Sequence, residues 1–201
     1  MKAPMLLSLL HELASRPGVY DLIQKLAGVR QVHARMSRQL PASGAGYVLD
    51  VGGGTGAMRP LWPTGCRYVC LDIEMPKLQG FRAKVADGLA LQTDATRMPI
   101  ADGCVGSVVC MAVAHHLTDD MLASVLRESA RVLKPGGRMF FLDPVFARRR
   151  LLGRLIWRLD RGSHPRTADT LQRVFQQHFQ VAHWERFAIY HEYVFGVGVR
   201  A

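Results

Sequence analysis

The sequence predicts an open α/β domain with a mostly parallel sheet that closes on an antiparallel hairpin. Three observations carry this. The apolar run Tyr47–Val51 stops abruptly at three consecutive glycines, Gly52, Gly53 and Gly54. Apolar runs at 68–73, 90–93, 105–111 and 138–142 then alternate with helical or loop patterns. Two final runs, 180–189 and 192–199, are separated only by a brief turn, which is how a hairpin reads.

In chain order, residues 1–40 read as a helical cap. Met5, Leu6, Leu9, Leu10 and Leu13 recur at helical spacing, Arg16-Pro17-Gly18 breaks that helix, and a second begins near Val19. The cap either packs on the sheet or forms a lid. Residues 41–201 form the main domain. Strand one, Tyr47–Val51, opens into the glycine loop. The helix that should follow is stunted, because Pro60 and Pro63 interrupt it. Strand two ends in Asp72 and Glu74, and only a short segment separates it from strand three, which ends at Asp94. Strand four, Val105–Met111, is apolar on both faces and rich in valine, as suits a central parallel strand. Thr118 can cap the next helix, with Asp119 and Asp120 favourably placed against its dipole. A Lys134-Pro135-Gly136-Gly137 turn stops that helix before strand five, which Asp143-Pro144 closes. An arginine-rich amphipathic insert occupies 146–166, and a last helix is expected over 167–179.

Composition bounds the function. The chain of 201 residues fits one domain with a proper core. Its net charge of +10 serves solubility or attracts something anionic. Cys66, Cys70, Cys104 and Cys110 match no zinc pattern, so no metal site is expected. Cys70, Cys104 and Cys110 lie in or beside apolar runs and read as core residues in a reduced, cytoplasmic setting. The apolar stretch near Met5 lacks a cleavage site, and no run reaches the ~20 residues a membrane span needs.

Right-handed crossovers bring the C-terminal ends of parallel strands to one side, so the glycine loop, Asp72, Asp94 and the segment after Met111 converge on one crevice. Asp72 lies about 20 residues beyond the first glycines, where a carboxylate reaches a ribose hydroxyl pair. Asp50, inside an apolar strand, must be satisfied there, and a ligand ammonium group would do so. Asp94 is placed to accept from an adenine amino group. His115 and His116 follow strand four at the mouth of the crevice. One of them is a candidate general base, or else a packing residue at a helix start.

Val48-Leu49-Asp50-Val51-Gly52-Gly53-Gly54-Thr55-Gly56, Leu71-Asp72, Asp94-Ala95 and Arg131-Val132-Leu133-Lys134-Pro135-Gly136-Gly137 together resemble the class I S-adenosylmethionine-dependent methyltransferases over residues 47–145. Residues 16–24 with 159–162 are similar to small bacterial methyltransferases of the methyltransferase domain type 11 group. The resemblance implies a Rossmann-like, seven-stranded sheet with helices on both faces and S-adenosylmethionine as cofactor. It implies that Asp50, Gly52, Gly53, Gly54 and Gly56 hold the methionine part. Asp72 and Ile73 would take the ribose side, Asp94 and Ala95 the adenine, and Met111 and Ala112 would lie beside the sulfonium. The reaction would be an in-line methyl transfer, favoured by proximity worth ~7–11 kcal/mol, to a small-molecule or lipid- or saccharide-linked acceptor, at oxygen.

The insert carries a further partner. From Arg148 to Arg161 it alternates arginines with leucines at helical spacing, which suits the inner face of a membrane or a phosphorylated substrate, or else a solvated basic face. Nucleic acid is disfavoured, because the arginines lack aromatic stacking partners. Two alternatives stay open. Gly52-x-Gly54-x-x-Ala57 also passes as a nicotinamide-dinucleotide fingerprint, although no Tyr-x-x-x-Lys pair accompanies it. A non-catalytic adapter could dock on membrane through the arginines.

Overall fold

The computed structural model describes residues 29–40, 46–146, 164–189 and 192–201. Seven strands form one sheet. In chain order they are β1 (Tyr47–Val51), β2 (Arg67–Asp72), β3 (Gly88–Gln92), β4 (Val105–Met111), β5 (Leu133–Val145), β6 (Gln180–Ala188) and β7 (Glu192–Val199). The order across the sheet is β3-β2-β1-β4-β5-β7-β6. The first five strands are parallel, and β7 runs antiparallel to both β5 and β6. The parallel sheet and closing hairpin are therefore as the sequence predicts.

Helices α1 (Val29–Met36), α2 (Met75–Lys84), α3 (Asp119–Val132) and α4 (Ala168–Gln176) cover the two faces. One face packs β1, β2, β4 and β5 against Leu122, Val125 and Leu126 of α3 and Leu171 and Phe175 of α4. The other packs Val48, Tyr68, Val109 and Phe140 against Val32 and Met36 of α1, Leu78 and Phe81 of α2, and Trp62. The caps follow local chemistry: Thr118 Oγ1 accepts the Met121 N–H at 3.3 Å, and Thr167 Oγ1 the Thr170 N–H at 3.2 Å.

Several elements correct the sequence reading. The short segment expected after strand two contains the ten-residue helix α2. Pro76 sits in its first turn, where proline is tolerated. Only Leu78, Gly80 and Phe81 are buried, too few positions to announce a helical period. Strand β3 begins earlier than expected and ends at Gln92. The segment 134–137 is not a free turn. It is the irregular start of β5, its register shifted against Val105 and Ser107. The Gly136 N–H donates to Arg200 O, and the Arg200 N–H donates to Gly137 O. The stunted helix after the glycine loop is a single 3-10 turn, Arg59–Leu61.

Within the cap, the described part is α1. His33 Nε2 donates to Ala57 O at 2.9 Å, and the Arg35 guanidinium lies 4.2 Å from the Phe187 ring centre. Residues 1–28 of the cap, and the insert from Arg148 to Arg161, lie outside the described residues. Among the described residues, no helix is long and apolar enough to cross a membrane.

Candidate active site

The four parallel strands β1, β2, β3 and β4 end on one side, and the loops that leave them build the site. Asp50 is opposite Cys70 of β2 and Val109 of β4, in the middle of the sheet, and is 1% exposed. Tyr68 Oη donates to Asp50 Oδ2 at 2.5 Å. Burial pushes the Asp50 carboxyl up to about 7; the Tyr68 hydrogen bond opposes this and the charge of Asp72 adds to it. Burial, then Asp50, likewise raises the Tyr68 phenol well above its ordinary value. Tyr68 is not legible as a site residue in the sequence. It lies 18 positions from Asp50, and only strand register brings them together.

The glycine loop lies directly on this pair. A Cβ at Gly53 would stand 2.4 Å from Asp50 Oδ2, so only glycine lets the backbone pass there. Gly52, Gly54 and Gly56 have φ of +65°, +57° and +82°. The loop's donors are turned inward. Gly53 N–H donates to Leu71 O, Gly54 N–H to Asp72 Oδ2 and Gly56 N–H to Gly53 O. Asp72 Oδ1 also accepts the Glu74 N–H at 2.8 Å. A carboxylate offers about four acceptor sites, so Asp72 keeps capacity for hydroxyl donors. Ile73 beside it is 65% exposed, an apolar surface facing outward at the strand end.

Asp94 is exposed, and its Oδ1 accepts both the N–H and the hydroxyl of Thr96 at 2.8 Å, which fixes the turn after β3. Ala95 packs half-buried against the core. Arg131 holds the far end of this loop by donating to Met98 O at 3.0 Å, Ile100 O at 2.8 Å, Asp102 and Glu128. Met111 is half-buried, and Ala112 follows with φ +55°, the one positive-φ non-glycine among the described residues. Such backbone costs of order 1–3 kcal/mol and gathers at functional sites. Ala112 N–H donates to Leu142 O at 2.8 Å, which pins it to β5.

The two histidines separate. His115 is buried and its Nδ1 lies 2.9 Å from Asp143 Oδ1. Asp143, 1% exposed at the end of β5, also accepts the Ala114 N–H through Oδ2 at 2.7 Å. His116 is exposed, its ring 4.0 Å from that of His115. In the sequence Asp143 reads only as the close of strand five, although it ends an apolar run as Asp72 does, and the structure adds it to the site. Arg166 is a correction. The sequence places it in the basic surface stretch, but it is 8% exposed and turned inward. It donates to Ala114 O at 2.7 Å, Leu117 O at 2.6 Å and Asp119 Oδ1 at 2.8 Å, and so clamps the loop that carries the histidines. Among the described residues, no cluster of three or more metal-ligating side chains exists.

Three of the glycine loop's N–H groups therefore face inward, and a buried acid lies beneath its glycines. In comparison with known proteins, residues 49–141 match the model of the family described as Methyltransferase domain. Residues 49–141 thus carry a methyltransferase domain, and the chain is similar to class I S-adenosylmethionine-dependent methyltransferases. It is 33% identical over 126 residues to the human thiol S-methyltransferase TMT1A, covering 59% of this chain and 50% of that protein. It is 32% identical over 158 residues to the ubiquinone/menaquinone biosynthesis C-methyltransferase UbiE of Stutzerimonas stutzeri, covering 71% of this chain and 59% of that one. The chain spans about half the length of the curated relatives it matches. A geranyl diphosphate methyltransferase solved with S-adenosylmethionine shares the fold, with a TM-score of 0.71 at 12% identity over 85% of each chain.

Proposed function

We propose that this domain transfers a methyl group from S-adenosylmethionine to a small-molecule acceptor, with an oxygen as the acceptor atom the sequence favours. The observation that carries the reading is the glycine corner. In a dinucleotide site, loop N–H groups and a helix N-terminus face the pyrophosphate. Here three loop N–H groups are taken up inside the protein, and a 3-10 turn stands where the α-helix would begin. What the loop covers is instead a buried carboxyl, suited to a cation.

The residues fit the cofactor. Asp50 would receive its ammonium group across Gly53, and Gly52, Gly54 and Gly56 would shape the backbone around its methionine part. Asp72 would accept the ribose hydroxyls, with Ile73 and Ala95 against the adenine and Asp94 at its amino group. Met111 and Ala112 would border the sulfonium. When bound, S-adenosylmethionine supplies an electrophilic methyl group. The chain's own residues align the acceptor, and His115 takes its proton. The related proteins bear the names of a thiol S- and a C-methyltransferase, so similarity alone does not select the acceptor atom. A lipid- or saccharide-linked acceptor, met at the membrane by the stretch from Arg148 to Arg161, is the form the basic insert favours.

Isothermal titration with S-adenosylhomocysteine tests this. Saturable binding is expected, weakened at least tenfold by Asp72→Ala, with no binding of reduced nicotinamide dinucleotide. Absence of saturable binding to the unmodified protein would refute the proposal.

A further inference from the structure

Resting on the methyl-transfer reading, we propose that Asp143 is a positioning residue that fixes His115 in the tautomer able to deprotonate a hydroxyl or thiol acceptor.

Both oxygens of this one buried carboxylate are engaged. Asp143 Oδ2 accepts the Ala114 N–H at 2.7 Å. That donor is backbone and cannot be reversed. Asp143 Oδ1 faces His115 Nδ1 at 2.9 Å. An ionised carboxylate only accepts, so Nδ1 must carry the hydrogen. The lone pair of the neutral imidazole is then on Nε2, the nitrogen that can take a proton. The same carboxylate stabilises the imidazolium that forms. Three further contacts keep the geometry. The His164 N–H donates to His115 O, Arg166 donates to Ala114 O and Leu117 O, and Ala112 is held at φ +55° immediately before the histidine turn. Among the described residues, the charged and titratable groups around the pair include Asp143, Cys110, His116, His164, Arg166 and, beyond Arg166, Asp119.

The step balances without a further reagent. The acceptor's O–H or S–H proton passes to His115 Nε2. The freed electron pair forms the bond to the methyl carbon. The carbon–sulfur bond of the sulfonium breaks, and its electrons stay on sulfur as a neutral thioether. His115 later returns the proton to water. An acceptor that reacts as a neutral amine does not need this base before attack. A pair built this way therefore selects for an acceptor that arrives with an acidic hydrogen on oxygen or sulfur.

Asp143→Asn separates positioning from mere packing. The asparagine must turn its oxygen to the Ala114 N–H, so its NH₂ faces His115 Nδ1. Nδ1 must then accept, and the hydrogen moves to Nε2. In spectra of protein labelled with ¹⁵N-histidine and saturated with S-adenosylhomocysteine, assigned against His115→Gln, the unmodified protein should show the Nδ1–H form. Asp143→Asn should show the Nε2–H form and bind S-adenosylhomocysteine within twofold of the unmodified protein. General-base catalysis is worth ~10²–10⁴-fold, so turnover should fall at least 100-fold. The second arm incubates the protein with methyl-¹³C S-adenosylmethionine and a small-molecule bacterial extract, and reads the carbon shift of any new methyl. An O-methyl or S-methyl product supports the inference and tells the two apart. A C-methyl or N-methyl product overturns it, as does an unmodified protein in the Nε2–H form or a tautomer that Asp143→Asn leaves unchanged. Failure to bind S-adenosylhomocysteine would count instead against the methyl-transfer reading, and the spectra of the cofactor-free protein would still decide the tautomer.

Discussion

Replacing Asp50 by asparagine should make the cofactor-free protein relatively more stable as pH rises, and a poorer binder. Burial raises the Asp50 carboxyl from 3.8 to about 7, and Tyr68 and Asp72 modify this in opposite senses. Between these two values the folded chain holds a proton that the unfolded chain has released. Stability therefore falls with rising pH across that window, by ~1.4 kcal/mol for each pH unit. The contribution is fully present below 3.8 and gone above about 7. Across the whole window the loss accumulates to ~4 kcal/mol. Asparagine cannot ionise and keeps an oxygen for the Tyr68 hydroxyl, so its own cost is independent of pH. The assay is urea unfolding of both proteins from pH 5 to pH 8. The difference between them should drift in favour of Asp50→Asn by ~1.4 kcal/mol for each pH unit up to about pH 7, then level off. A flat difference, or an unmodified protein that gains on the variant as pH rises, would refute the reasoning. The binding arm has the opposite sign. Because an ammonium ligand needs the carboxylate, affinity for S-adenosylhomocysteine should rise with pH up to about 7 and depend little on pH in Asp50→Asn.

Two further predictions concern the loops. Gly53→Ala would place a Cβ 2.4 Å from Asp50 Oδ2 and 2.8 Å from Cys70 Sγ. Overpacking of this kind costs ~1–3 kcal/mol, so the melting temperature should fall together with S-adenosylhomocysteine affinity, whereas an unchanged melting temperature and affinity would contradict the close approach. Arg131→Ala removes the donors to Met98 O, Ile100 O and Asp102, and leaves Glu128, whose carboxyl Arg131 holds below its ordinary value, without its cation. Unfolding in urea should show a loss of ~1–3 kcal/mol, and hydrogen exchange should speed up at residues 94–103 before it does in α3.

What is legible in the sequence is what local pattern encodes. The run before Gly52, the acids closing β2 and β5, the prolines that reduce the first helix to one turn, and the final hairpin all leave signatures within a few residues. What is not legible depends on register. Tyr68 meets Asp50 because β1 and β2 pair Val48 with Tyr68 and Asp50 with Cys70. Asp143 meets His115 because β4 pairs with β5 and the turn after Met111 folds back over that strand end. Arg166 looks like its basic neighbours in sequence, and only the carbonyls of Ala114 and Leu117 distinguish it. Helix α2 is hidden for a different reason. Its buried side is so narrow that Phe81 does most of the packing, set into space left by the missing side chains of Gly56 and Gly88.

The site can then be read as a contrast among three buried acids, on β2, β1 and β5 of the one sheet. Asp72 accepts two backbone N–H groups, and Asp143 accepts one together with a histidine ring. Backbone donors cannot withdraw, so these two carboxylates are satisfied in place and act as anchors, one for the glycine loop and one for the histidine turn. Asp50 receives the Tyr68 hydroxyl alone among the described residues. Burial raises its carboxyl to about 7, with the Tyr68 hydrogen bond opposing and the charge of Asp72 adding to the rise. Buried this way, it costs the cofactor-free domain stability as it ionises, and a cation placed above Gly53 would remove that cost. Asp50, held by a side-chain hydroxyl where Asp72 and Asp143 are held by backbone donors, is the acid to which the proposed reading would bring the cofactor's ammonium group.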